Sequence, residues 1–70
     1  MPKISGVSYA AAIRALKKAG FAIIRESGHA IMSDGVRIVT IPRHNPINAF
    51  TMGQIAKCAG FTPDEFRRLL

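Results

Sequence analysis

The sequence predicts a single α+β domain spanning residues 1–70, in the order α-β-β-β-α with a short third helix, its three-stranded antiparallel sheet carrying the helices packed on one face. Three observations carry this expectation. Apolar residues recur at helical spacing between residues 9 and 19. Three short apolar runs then follow, separated by glycine-containing turns, and a second helical stretch begins near residue 51. Seventy residues provide one small core and no room for a second domain. Apolar residues make up 49% of the chain and are spread along it, which excludes a disordered polyelectrolyte.

Taken in order, Ser8 is the expected N-cap of the first helix, and Tyr9, Ala12, Ile13, Leu16 and Ala19 form its apolar face until Gly20 stops it. Arg14, Lys17 and Lys18 lie three and four positions apart and so share the outward face. That stripe is either an ordinary solvated face or a surface that contacts phosphates without reading sequence. Phe21 to Ile24 reads as a strand on its β-branched and aromatic content, ending at Arg25 before Glu26-Ser27-Gly28 breaks it. Ala30-Ile31-Met32 is the second strand. Ser33-Asp34-Gly35 joins it to a third, Val36 to Ile41, through a hairpin signal, and Pro42 ends the run. Residues 42–50 form a loop held by two prolines, the kind of segment that often carries function. Thr51 is the expected N-cap of a second helix with Met52, Ile55, Ala56 and Ala59 inward and Gly60 as its stop. Thr62-Pro63 caps a short final helix, with Asp64 and Glu65 at its positive end, burying Phe66, Leu69 and Leu70.

Ten Lys and Arg against four acids leave a net charge of +6, which favours a polyanionic partner. No apolar run approaches the roughly 20 residues that cross a bilayer, no segment has the faces of an interfacial helix, and no signal-peptide pattern opens the chain, so the expected location is the cytoplasm. Cys58 is the one cysteine, which excludes an intrachain disulfide and suggests a small apolar packing role. His29, His44 and Cys58 fit no zinc spacing, and the acids are too few and scattered for a two-metal site, so neither metal nor cofactor is expected. Tyr9, Phe21, Phe50, Phe61 and Phe66 are read as core rather than as a base-stacking platform.

The element order is that of double-stranded-RNA-binding domains, which makes RNA a natural polyanion by fold analogy alone. The chain also resembles, over nearly its whole length, the HicA-type toxins of bacterial and archaeal toxin-antitoxin pairs. The marks are Leu16-Lys17-Lys18-Ala19-Gly20-Phe21, Arg25 with a histidine-bearing turn, an apolar hairpin, Pro42-Arg43-His44, a helix from Thr51 through Ile55, Ala59-Gly60, and the tail Asp64-Glu65-Phe66. One departure stands out. Where that family has Gly-Ser-His, this chain has Ser27-Gly28-His29, and the interval from Arg25 is one residue shorter. Gly28 still permits a tight turn.

The resemblance implies a small mRNA interferase that inhibits translation and growth, with His29 as the catalytic residue and Ser27 and Gly28 setting the turn that aims it. A neutral imidazole can take the proton of a ribose 2′-hydroxyl as that oxygen attacks the adjacent phosphorus, a role worth roughly 10²–10⁴-fold in rate. Arg25, Arg37 and Arg43 are then candidates for stabilising charge on the phosphorane. His44 is the obvious second acid-base group, or else an RNA-contacting or loop-ordering residue. Arg14, Lys17, Lys18, Arg25, Arg37, Arg43 and His44 together form the expected RNA-binding set. The implied partners are mRNA and a HicB-like antitoxin, with no membrane. Two other readings remain open from the residues themselves: a non-catalytic RNA-binding module in which His29 only shapes a turn, and an interaction module whose positive surface serves an acidic protein.

Overall fold

A computed structural model describes residues 3–70; Met1 and Pro2, which the expected domain boundary includes, lie outside the described residues. The elements are α1 (Tyr9–Lys18), β1 (Ala22–Ser27), β2 (His29–Ser33), β3 (Ile38–Pro42), α2 (Ala49–Cys58) and α3 (Pro63–Arg67). They form the expected α-β-β-β-α architecture, with β2 central in an antiparallel sheet of order β1-β2-β3.

Local chemistry accounts for the helix ends. The Ser8 hydroxyl accepts from Ala11 N at 3.1 Å, taking one of the donors that the first turn leaves free. At the other end Gly20 N donates to Lys17 O and Phe21 N to Leu16 O, a Schellman closure that α2 repeats with Gly60 and Phe61. Thr62 and Glu65 make a reciprocal capping box behind Pro63, which is why a five-residue α3 forms at all.

One face of the sheet is covered. Ala30 and Met32 on β2 and Val39 and Ile41 on β3 alternate inward and are 3% exposed or less, packing against Leu16 of α1, Met52 and Ala56 of α2, and Phe66 of α3. Each such large apolar side chain stabilises the fold by roughly 1.5–3 kcal/mol relative to leaving it in water. α1 and α2 both lie against β3, and α3 packs on α2. β1 overhangs the helix layer as an edge strand, with Ile23 its half-buried residue.

Several boundaries differ from the sequence expectation. β1 runs on through Glu26 and Ser27, because the chain reverses across Gly28 alone and Ser27 pairs with His29. β3 begins at Ile38 rather than Val36: the Asp34 carboxylate accepts from Val36 N at 2.8 Å and Arg37 N at 2.6 Å, so a side chain claims two amides that would otherwise join the ladder. The same two bonds, with Arg37 nearby, hold the Asp34 carboxyl below its ordinary value. α2 is capped by Asn48, not Thr51. The Asn48 carboxamide oxygen accepts from Phe50 N and Thr51 N, and Thr51 falls inside the first turn. Cys58 is exposed, since α2 turns Met52, Ile55, Ala56 and Ala59 inward and leaves position 58 on the solvent side. Phe50 is 50% exposed beneath the Lys3 ammonium, and Leu70 is 46% exposed, so neither joins the core.

Candidate functional site

His29 opens β2 and is exposed. Since Ala30 and Met32 point into the core, alternation sends His29 to the uncovered face of the sheet. Its cross-strand neighbours are Ser27 on β1 and Pro42 on β3. The next row on that face, one pleat along, is Arg25, Ile31 and Thr40.

Arg25 reaches this face through an irregularity. Strict alternation from Ile23, which pairs with Met32, would turn Arg25 inward and Glu26 outward. The register shifts between Ile23 and Arg25, leaving Ile24 as the extra residue of a β-bulge. Every residue beyond it therefore changes face. Arg25 comes to lie diagonally across from His29, a relation of about 7–8 Å between backbones that a long side chain spans. Glu26 moves to the helix side, where the Tyr9 hydroxyl donates to its carboxylate at 2.7 Å.

That contact belongs to a brace at the His29 end of the molecule. The Arg43 guanidinium sits over the Tyr9 ring at 5.3 Å, and the Asn45 side-chain oxygen accepts from Tyr9 N at 2.8 Å. The start of α1 thus holds both the strand leading into the histidine turn and the loop after β3. The hydrogen bond to Glu26 is the main reason that the Tyr9 phenol titrates above its ordinary value of 10.0. Further along, Ile47 N donates to Val7 O and Ile4 N to Ala49 O, which pins the proline loop.

Other residues singled out in the sequence take different positions. Arg43 and His44 follow Pro42 at the His29 end, where His44 N donates to Pro42 O at 3.0 Å. Arg14, Lys17 and Lys18 are exposed on α1, in the helix layer, and Lys18 donates to Leu69 O at 3.1 Å. Arg37 precedes Ile38, the partner of Ser33 at the opposite end of β2, and so stands five strand positions from the His29 row, about 16 Å along a strand. Its guanidinium lies 3.8 Å from Asp34 and directly over Gly60. The structure therefore gathers Arg25, Arg43 and His44 at one end with His29, and separates Arg37 from them. Tyr9, Glu26 and Asn45 escape a sequence reading because their partners are 17 to 36 residues away. Among the described residues no three His, Cys, Asp or Glu side chains gather at one point, and no helix is long and apolar enough to cross a membrane.

The architecture is that of a small basic α-β-β-β-α domain that presents an exposed histidine at the β1-β2 turn, beside the end of β3. The family model of the HicA toxin of bacterial toxin-antitoxin pairs matches residues 9–61, from the start of α1 to the residue after Gly60, and the chain belongs to that family. It is the toxin of a toxin-antitoxin system and has an antitoxin as its counterpart. No curated protein and no solved structure gives a match.

Proposed function

We propose that this toxin is a metal-independent endoribonuclease that cleaves mRNA with His29 as general base, and that a HicB-like antitoxin silences it by covering the sheet face around the histidine. The observation that carries the reading is the bulge at Ile24, which turns Arg25 onto the face of His29. A base and a cation then flank one position where a phosphodiester can lie. The neutral imidazole accepts the 2′-hydroxyl proton, the 2′-oxygen bonds to phosphorus, and the bond to the 5′-oxygen breaks, that oxygen taking a proton from water. Arg25 balances the negative charge that grows on the non-bridging oxygens. Ser27 and Gly28 set the aim of the histidine. The exposed cations of α1, with Arg37 and Arg43, draw the RNA in by charge, so binding weakens as salt rises. The compartment that supplies both mRNA and antitoxin is the cytoplasm.

The test is a single-stranded RNA incubated with purified toxin and excess chelator. The expected products carry 2′,3′-cyclic phosphate and 5′-hydroxyl ends, and a copy of the RNA with 2′-deoxyribose throughout stays intact. Cleavage of the deoxy copy, or loss of all cleavage on chelation, overturns the mechanism; binding without any cleavage makes the protein a non-catalytic RNA-binding module.

A further inference from the structure

A cleft lies at the same end of the sheet as the histidine. Beyond Pro42 the chain folds back around an open cleft of about 330 Å³ lined by Pro42, His44, Pro46, Asn48 and Thr51. This lies near the lower end of the roughly 300–1,000 Å³ typical of small-molecule clefts, room for a nucleoside and not for a length of polymer. Its wall begins at the residue paired with His29, about 5 Å across the sheet. No Lys or Arg lines it, so it is not built for phosphate. Its surfaces are instead an imidazole and two proline rings, with three side chains able to hydrogen-bond.

The geometry points to this cleft as the subsite for one unstacked nucleobase next to the phosphate that His29 attacks, a reading that rests on the ribonuclease function proposed above. The base lies against His44 and the proline rings, as single-stranded RNA bases lie on flat side chains in other proteins. Asn48 sets the preference. Its carboxamide oxygen is engaged by Phe50 N and Thr51 N, which leaves its two N–H groups for the ligand. Donors there match a base edge that carries carbonyl oxygens, uracil first. Adenine has no carbonyl oxygen and offers these donors only a ring nitrogen, which on the N1 and N7 edges is flanked by the exocyclic amine, itself a donor. His44 and Thr51 supply a donor or an acceptor as needed, and His44 thereby acts as a base-contacting residue.

The experiment is a nuclear magnetic resonance titration of the ¹⁵N-labelled toxin with uridine 3′-monophosphate, adenosine 3′-monophosphate and inorganic phosphate at constant ionic strength. The uridine compound is expected to shift the amides of His44, Asn48 and Thr51. The adenosine compound should bind about tenfold more weakly, the scale on which one base-edge contact discriminates, and inorganic phosphate should leave these amides unmoved. Asn48→Asp keeps the capping oxygen and a good N-cap but loses the two donors, so it should melt like wild type while binding uridine 3′-monophosphate about tenfold more weakly. Equal binding of the two nucleotides, the same shifts with inorganic phosphate, or no effect of Asn48→Asp overturns the subsite. Failure of this proposal is distinguishable from failure of the ribonuclease reading. A toxin that cleaves RNA with silent cleft amides refutes only the subsite, and one whose cleft binds uridine selectively without RNA cleavage refutes only the catalysis.

Discussion

Replacing Gly28 with alanine tests the turn that delivers His29, and the structure gives both the sign and the size of the effect. Gly28 has φ +75°, a left-handed conformation, and a Cβ built there would meet nothing within 4 Å. Steric clash therefore contributes nothing, and what remains is the backbone strain of a left-handed L-residue, about 1–2 kcal/mol. The opposite sign holds where a glycine sits at ordinary negative φ: alanine there stabilises by about 0.4–1 kcal/mol through the unfolded chain. For a domain of this size a loss of 1–2 kcal/mol lowers Tm by roughly 4–15 °C. Thermal and urea unfolding followed by circular dichroism should show Gly28→Ala least stable and Gly28→Asn between it and wild type, because asparagine tolerates the left-handed region better. A Gly28→Ala protein as stable as wild type, or more so, would refute the one-residue reversal between Ser27 and His29.

Tyr9 is the one tyrosine, so its ionisation can be followed by ultraviolet absorbance. It should titrate above 10.0, and Glu26→Gln should bring it down; the stabilisation from this bond is complete below 10.0 and fades as pH rises through the raised value, so the gap in stability between wild type and Tyr9→Phe should close at strongly alkaline pH. Arg25→Ala should slow RNA cleavage roughly tenfold, less than the about 10²–10³-fold of an enclosed oxyanion donor because Arg25 is exposed, whereas Arg37→Ala should leave the catalytic rate near wild type; equal effects of the two in single-turnover assays would count against the role given to the bulge. Cys58 should react with a thiol reagent in the folded protein without prior unfolding, and reaction only on denaturation would contradict its exposed position.

The readable parts of this fold are those settled within a few residues. Ser8, Gly20 and the Thr62-to-Glu65 box act through bonds spanning three to five residues, and the composition of the chain shows them directly. Asn48 and Thr51 both suit an N-cap; the helix uses Asn48, whose carboxamide oxygen accepts from Phe50 N and Thr51 N, in a segment that is also tied by Ile47 N to Val7 O and by Ile4 N to Ala49 O. The two adjacent isoleucines at 23 and 24 hint at broken alternation, yet the bulge and the resulting face of Arg25 depend on pairing with β2. His29 and its histidine-bearing turn were visible in the sequence. Its surroundings were not: the Tyr9 brace joins residues that are 17 to 36 positions apart, and the cleft beside Pro42, though lined within residues 42–51, depends on how an irregular loop folds back, about which periodicity is silent.

The most direct measurement compares wild-type toxin and His29→Ala on the same long, unstructured mRNA in the presence of excess chelator, with RNA binding followed in parallel. The account predicts that wild type cuts and that His29→Ala does not, while the two bind RNA with similar affinity and melt alike. Equal cleavage by both proteins would contradict it, for the base would then be another residue.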